Sequence, residues 1–236
     1  MSFQIDINDK ILVVAPHPDD ETLGCGGLMA LYPKQCDVLL LTDGRKGKSK
    51  QRANIPDEEI IAIRKSELRN ALNIAGVNNL YCLDIPDSTL DKSKKQVIKF
   101  DASGYKYIFI PNAREAHPDH KAANRYFKSM RFWGKTKAKI YEYEVWTPLQ
   151  VIDVLVDISS KEEVKRRMIK QYVSQLECKT YENAGMGLSQ YRGIGCNATT
   201  AEAFYFSPAS IVDKLKYIGY LLLPDSIIEI FKNVIK

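Results

Sequence analysis

Two hydrophobic periods alternate along this chain. Lys10–Ala15 (KILVVA) is a short aliphatic and β-branched run with no polar face, the pattern of a strand buried on both sides. Thr22–Leu31 reads as the helix that follows it. Asp37–Leu41 (DVLLL) is a second buried strand, ended by the turn signal T-D-G. Over Asp57–Ala75 the apolar positions Ile60, Ile61, Ile63, Leu68, Ala71, Leu72 and Ala75 form a helical stripe, and Gly76 supplies the stop. Asn79–Asp84 predicts a third strand, the stretch up to Phe100 a further helix, and Tyr105–Pro111 (YKYIFIP) a fourth strand. HPDHKAANRYFKSM begins as a loop and runs into a helix. Beyond it, KIYEYEVWTP and VIDVLVDIS read as strands and KEEVKRRMIKQYVSQL as a helix.

Strands and helices in this order argue for a mostly parallel sheet with helices on both faces. The expected fold is therefore α/β and Rossmann-like, with a C-terminal elaboration. No repeat, low-complexity segment or Pro/Gly/Ser-rich linker divides the 236 residues. The chain is expected to be one domain, 1–236, with 207–236 as an extension. At this length most of the unfolded surface can be buried without a disulfide or a structural metal, so any metal has to be argued as catalytic.

Composition adds exclusions. An apolar fraction of 45% and a charged fraction of 27% are ordinary for a globular chain. The net charge of +5 is mild and partly local, since Arg45–Arg52 (RKGKSKQR) concentrates basic residues. Such a run is either a solvated loop or a contact for an anionic substrate group such as a phosphate. It lacks the interleaved aromatics of a nucleic-acid platform, so no nucleic-acid partner is expected. Cys25, Cys36, Cys82, Cys178 and Cys196 form no C-x-x-C and are odd in number, which supports neither a disulfide framework nor a zinc ribbon. The N-terminus lacks a signal-peptide pattern, and YIGYLLLP (Tyr217–Pro224) is too short to span a bilayer, so a cytoplasmic protein is expected. Residues 210–236 mix apolar clusters with lysines. They suit packing on the sheet, a homo-oligomer interface or, as the sharper alternative, peripheral membrane contact.

The three histidines, His17, His117 and His120, all fall just past a predicted strand, in H-P-D-D-E and H-P-D-H. In a doubly wound sheet of order 3-2-1-4-5, strands one and four are neighbours, and ligands bind at the crevice outside their carboxyl ends. His17 and His120 would then meet there. His17 and Asp20 are spaced to share one side of a helical turn, as are His117 and His120. Two imidazoles and a carboxylate with an open fourth position make a hydrolytic zinc site, which activates water and polarises a carbonyl. Asp19 would take the water's proton, and the remaining histidine would stand near the developing oxyanion as cation or general acid.

Gly24, Gly26 and Gly27 raise a dinucleotide reading. The pattern lacks the third glycine, Met29 standing in its place, and Asp19, Asp20 and Glu21 would repel a pyrophosphate at that helix start. The glycines are expected instead to bring helix and sheet close together. No G-x-S-x-G is present for a serine nucleophile.

A-P-H-P-D-D-E (Ala15–Glu21) together with H-P-D-H (His117–His120) resembles the LmbE-like/PIG-L family of zinc-dependent N-acetylglucosamine deacetylases. The similarity continues in Arg64-Lys65-Ser66-Glu67, in Tyr143-Glu144-Val145-Trp146-Thr147-Pro148, in Tyr191-Arg192-Gly193 and in Ala201-Glu202-Ala203-Phe204. The resemblance implies a Rossmann-like fold and Zn2+, with Fe2+ as an alternative, held by His17, Asp20 and His120. It further implies Asp19 as general base, His117 on the oxyanion side, Arg64 as a substrate contact and a mobile tyrosine, Tyr181 or Tyr191, near the acetyl carbonyl. The implied activity is hydrolysis of the N-acetyl group of an N-acetylglucosamine-type conjugate, a small molecule or glycoconjugate. An amidohydrolase for another small amide and a non-catalytic metal- or sugar-binding module are the alternatives. Two positions depart from the family pattern. Arg45 replaces an acid after the second strand, which favours an anionic substrate, and Thr200 replaces a tyrosine before A-E-x-F. Arg64 could instead pair with Glu67 or Glu59, and Tyr143 and Trp146 are expected in the core.

Overall fold

The computed structural model describes residues 5–176 and 180–207. The elements run β1 (Ile11–Ala15), α1 (Asp20–Leu31), β2 (Cys36–Thr42), α2 (Asp57–Ala75), β3 (Asn79–Ile85), α3 (Lys94–Val97) and β4 (Tyr107–Pro111). They continue with α4 (Pro118–Phe132), β5 (Lys139–Tyr143), β6 (Val154–Asp157), α5 (Glu162–Ile169), α6 (Val173–Leu176), α7 (Tyr181–Gly193) and β7 (Ala201–Ser207). They form one sheet of order β3-β2-β1-β4-β5-β7-β6. The first five strands are parallel, and β7 runs antiparallel to both β5 and β6. This is the Rossmann-like α/β fold expected from the strand–helix alternation.

Every residue of β1 is buried because alternate side chains feed two cores. Ile11, Val13 and Ala15 join Val38 and Leu40 of β2 beneath α1, α2 and α5. Leu12 and Val14 join Leu39 and Leu41 on the opposite face, where α4 contributes Ala122, Ala123, Tyr126, Phe127 and Met130. Helix α2 spans the stripe read from the sequence, and Gly76 closes it with φ 85°, the left-handed cap that glycine adopts without strain.

The glycines of α1 permit close packing, as anticipated. A β-carbon on Gly24 would lie 2.1 Å from the Tyr143 ring, and one on Gly27 would lie 2.5 Å from Ile158. A buried ion pair ties this helix to β7, next to the edge strand β6. Glu202 on β7 accepts the amides of Gly27 and Leu28 at 2.7 and 2.8 Å, while Lys165 of α5 reaches it at 2.7 Å. Lys165 also donates to the Leu23 carbonyl and to Ser189. The A-E-x-F glutamate is thus scaffolding rather than chemistry.

Three expectations are corrected. The stretch before Phe100 forms only short turns and the single-turn α3. The helix over 161–176 breaks after Ile169, where Tyr172 turns inward to hydrogen-bond Glu21, and resumes as α6. Val145–Pro148 leave the fifth strand, because the amides of Val145, Trp146 and Thr147 donate instead to Glu115 at 3.0–3.1 Å. Among the described residues no helix is long and apolar enough to cross a membrane. Cys178 and the 208–236 segment lie outside the described residues.

Candidate active site

The carboxyl ends of β1 and β4 are adjacent, and the chain leaves them in opposite directions. At this switch point β1 delivers His17, Asp19 and Asp20 to the start of α1. The loop after β4 delivers Glu115 and then His117, Asp119 and His120 to the start of α4. Pro118 fits the first turn of α4 because it needs no amide donor there. His117 caps that turn, its Nδ1 accepting the Asp119 amide at 3.2 Å.

Three donor atoms converge. Asp20 Oδ2 lies 3.3 Å from His17 Nδ1 and 3.1 Å from His120 Nε2, and the two imidazole nitrogens are 3.3 Å apart although the residues are 103 positions apart. Ligands at about 2.0–2.1 Å in a tetrahedral zinc shell are spaced about 3.3 Å from one another. The triangle therefore fits one divalent cation in donor type, number and spacing. The set His17, His117 and His120 also lies within mutual reach of a metal. In that set the capping bond already occupies His117 Nδ1.

Behind each imidazole stands a carboxylate that the sequence motifs do not single out. His17 Nε2 faces Asp119 Oδ2 at 3.2 Å and Asp87 Oδ1 at 3.3 Å, so in the neutral ring the proton belongs on Nε2 and Nδ1 is the nitrogen that would meet a cation. Asp119 is oriented in turn by the amides of Ser88 and Leu90. His120 Nδ1 is buried without a hydrogen-bond partner, 3.8 Å from the equally unpartnered Glu115 Oε2. Such outer carboxylates orient metal-ligating histidines and raise their basicity. One sequence signal points to Asp87: it follows the carboxyl end of β3, on the same rim as His17 and His120.

The electrostatics follow from burial and these pairs. Burial opposes charge on Asp20, but His120 and His17 outweigh it and hold the carboxyl well below its usual range. Burial likewise opposes a charged His17, yet Asp119, Asp20 and Asp87 lift its pKa well above the ordinary value. Asp19 is pushed up to about 7, by burial first and by Asp20 and Glu21 as well, against the pull of Arg64. Burial and the two neighbouring histidines lower the pKa of His117, which favours its neutral ring.

Asp19 is held under strain. It has φ 131°, a region that non-glycine residues rarely enter. Two groups hold it there. The Glu21 carboxylate accepts the Asp19 amide at 3.2 Å. Arg64 donates to the Pro18 carbonyl at 2.7 Å, the Gly44 carbonyl at 2.8 Å and Asp19 Oδ2 at 3.2 Å. Arg64 pairs with neither Glu67, which accepts from Ser174, nor Glu59. It lines the cavity, but its two NH2 groups are spent on the Pro18–Asp19 segment and on the Gly44 carbonyl.

The site opens into a cleft of about 560 Å³, measured out to its solvent-facing mouth. Lys46, Gly47, Gln175, Trp146, Tyr181 and His117 line it together with the metal-site residues. Tyr181 therefore lines the cleft, whereas Tyr191 is 65% exposed and outside the lining. Tyr143 is core as expected, but Trp146 is 45% exposed, with its ring centroid 4.9 Å from that of Tyr181. Arg45, the charge reversal noted in the sequence, is drawn back to Asp43 at 2.6 Å and Asp57 at 3.7 Å.

Fold and site together define a Rossmann-like α/β protein with a candidate metal centre at its switch point. The chain belongs to the PIG-L (LmbE-like) family: the profile described as PIG-L, GlcNAc-PI de-N-acetylase, matches residues 12–130, just over half of it. It is 32% identical over 126 residues to a diacetylchitobiose deacetylase of Thermococcus kodakarensis, an alignment covering 48% of this chain and 46% of that protein. The chain thus matches about half the length of that relative. It is 26% identical over 189 residues to a probable N-acetyl-alpha-D-glucosaminyl L-malate deacetylase 2 of Bacillus subtilis, covering 72% of this chain and 85% of the other. The fold is that of the N,N'-diacetylchitobiose deacetylase of Pyrococcus horikoshii, with a TM-score of 0.75 at 21% identity over 92% of this chain and 87% of that one.

Proposed function

We propose that the protein is a metal-dependent N-deacetylase that hydrolyses the acetamido group of an N-acetylglucosamine-type conjugate. The convergence of His17, Asp20 and His120 donors within 3.3 Å, beside Asp19 in an open cleft, carries this reading. The deacetylase names of the relatives support the reaction class. His17, Asp20 and His120 would hold Zn2+ or Fe2+. When bound, such a cation supplies a Lewis acid that polarises the acetyl carbonyl and makes water acidic enough to attack near neutral pH.

The chain's own groups do the rest. Asp19 takes the proton of the attacking water as general base, and its raised pKa suits that transfer near neutrality. Arg64 holds its carboxylate at the cleft and Glu21 holds its backbone amide, so it needs no reorganisation as the reaction proceeds. His117, with Nδ1 occupied by the Asp119 amide, carries its proton on Nε2 and donates it toward the developing oxyanion. Asp19 then returns its proton to the departing amine. Tyr181 and Trp146 form the apolar wall against which the sugar lies.

Incubation with one equivalent of Zn2+ and simple N-acetylglucosaminides should release acetate and free amine in equal amounts, and Asp19→Ala should release neither. Full activity of Asp19→Ala would remove the base assignment. Equal hydrolysis of non-sugar acetamides would replace this reading with a general amidohydrolase.

A further inference from the structure

Two unlike groups of residues line the cleft, each with an anchored backbone. On one side, Glu115 accepts the amides of Val145, Trp146 and Thr147, and Asn112 donates to the Thr147 carbonyl at 2.6 Å. This fixes the exposed face of Trp146. On the other side, the Lys46 amide donates to Asp87 Oδ2 at 3.2 Å, and the Gly47 carbonyl accepts from Gln175 Nε2 at 2.8 Å. A β-carbon on Gly47 would lie 2.2 Å from the Arg64 guanidinium, so this loop approaches the site as closely as a chain can.

The charges of the lining are unequally committed. Asp19 is engaged by Arg64, and Asp20 lies between two imidazoles. Asp87 is taken by His17, the Ser88 hydroxyl and the Lys46 amide. Of the basic run, Arg45 is held by Asp43 and Asp57, and Lys48 by Asp57 at 2.6 Å and the Ile55 carbonyl at 2.8 Å. Lys46 differs: its backbone is anchored, the residue lines the cleft, and its ammonium makes no close ion pair with a described residue, only a longer-range attraction to Asp57, which Arg45 and Lys48 already hold. The carboxamide of Gln175 sits beside this wall, its oxygen without a donor among the described residues.

We propose that Lys46 makes the outer cleft a subsite for an anionic substituent on the aglycone of the sugar, a carboxylate or a phosphate. This deepens the proposed function and rests on it for the placement of the sugar. With the pyranose face on Trp146 and the acetamido group at the His17–Asp20–His120 end, the aglycone is directed toward the mouth. There the Lys46 ammonium offers a hydrogen bond between opposite charges, which is stronger than the one it would make to a neutral acceptor.

The test is equilibrium binding of two deacetylated probes, the carboxymethyl and the carbamoylmethyl glycosides of glucosamine. They differ in charge, scarcely in shape, and cannot be turned over. The zinc-loaded protein should bind the carboxylate about tenfold more tightly than the carboxamide, the scale of one charge-assisted contact, with a preference that shrinks as salt rises. Lys46→Gln should abolish the preference and Lys46→Arg should keep it. Equal affinities in the unaltered protein, no binding of either probe at millimolar concentration, or an unchanged preference in Lys46→Gln would each overturn the proposal. Acetate release from the N-acetylated pair is read separately. Its absence would defeat the deacetylase reading, while the binding ratio would still decide the role of Lys46.

Discussion

Arg64 Nη2 lies 3.2 Å from Asp19 Oδ2, and the same nitrogen holds the Pro18 carbonyl at 2.7 Å, so one guanidinium fixes both the path and the carboxylate of the strained residue. A lysine carries the charge but cannot make this fork. Arg64→Lys should lower kcat about 10–100-fold with a smaller change in KM, because the misplaced group is the base rather than a substrate contact. Steady-state kinetics on any accepted acetamido sugar will show it. A rise in KM at constant kcat would make Arg64 a ground-state substrate contact instead. Arg64→Met leaves Asp19 buried without its partner and should cost about 3–5 kcal/mol of stability, read from denaturant unfolding.

Asp119 touches no reacting atom, yet it receives the proton side of His17 at 3.2 Å. Asp119→Asn should therefore weaken zinc binding about 10–100-fold while the chain still folds. Competition against a chromophoric chelator measures this directly. An unchanged affinity would mean that His17 does not ligate through Nδ1.

Gly24 and Gly187 make a matched pair of helix substitutions. A methyl group at Gly24 meets the Tyr143 ring at 2.1 Å, whereas at Gly187 in α7 nothing lies within 4 Å. Gly24→Ala should destabilise by about 1–3 kcal/mol through overpacking. Gly187→Ala should be neutral or stabilising by up to about 1 kcal/mol through helix propensity. Thermal unfolding separates the two. Tolerance at Gly24 would show that α1 can move away from the sheet.

Cysteine reactivity checks the core beneath α1 independently. Cys25 and Cys36 are buried, and burial raises both thiol pKa values, while Cys196 is exposed. Alkylation of the native protein should label Cys196 first and should reach Cys25 and Cys36 only after unfolding. Native labelling of Cys25 would be incompatible with the packing of α1.

The central sheet is legible in the sequence because its signals are dense. Four aliphatic runs each end in turn residues, and α2 carries an unbroken stripe up to Gly76. The meeting of His17 and His120 follows only if the strands take the doubly wound order, which periodicity leaves open and which the sheet adopts with β1 beside β4. Asp87 is signalled only by its place after the carboxyl end of β3, and Glu115 not at all, since each lies in a loop whose residues follow no period. Asp119 sits inside a motif whose histidines carry the stronger signal. Helix α7 and strand β7 escape the pattern for another reason. Two internal glycines, Gly185 and Gly187, weaken the helix signal of α7, and β7 carries the acidic Glu202 inward, where Lys165 and the amides of α1 satisfy it. Trp146 reads as core in the sequence because aromatic content alone cannot show that Glu115 pulls its backbone out of the strand.

Metal-dependent deacetylation at the switch point is tested by acetate release from an N-acetylglucosamine conjugate by one preparation, first stripped with chelator and then reloaded with a single equivalent of Zn2+ or Fe2+. Release that disappears on stripping and returns on reloading, in the unaltered protein but not in His120→Ala, is the predicted result. Release that persists after stripping, or that His120→Ala retains in full, would contradict it.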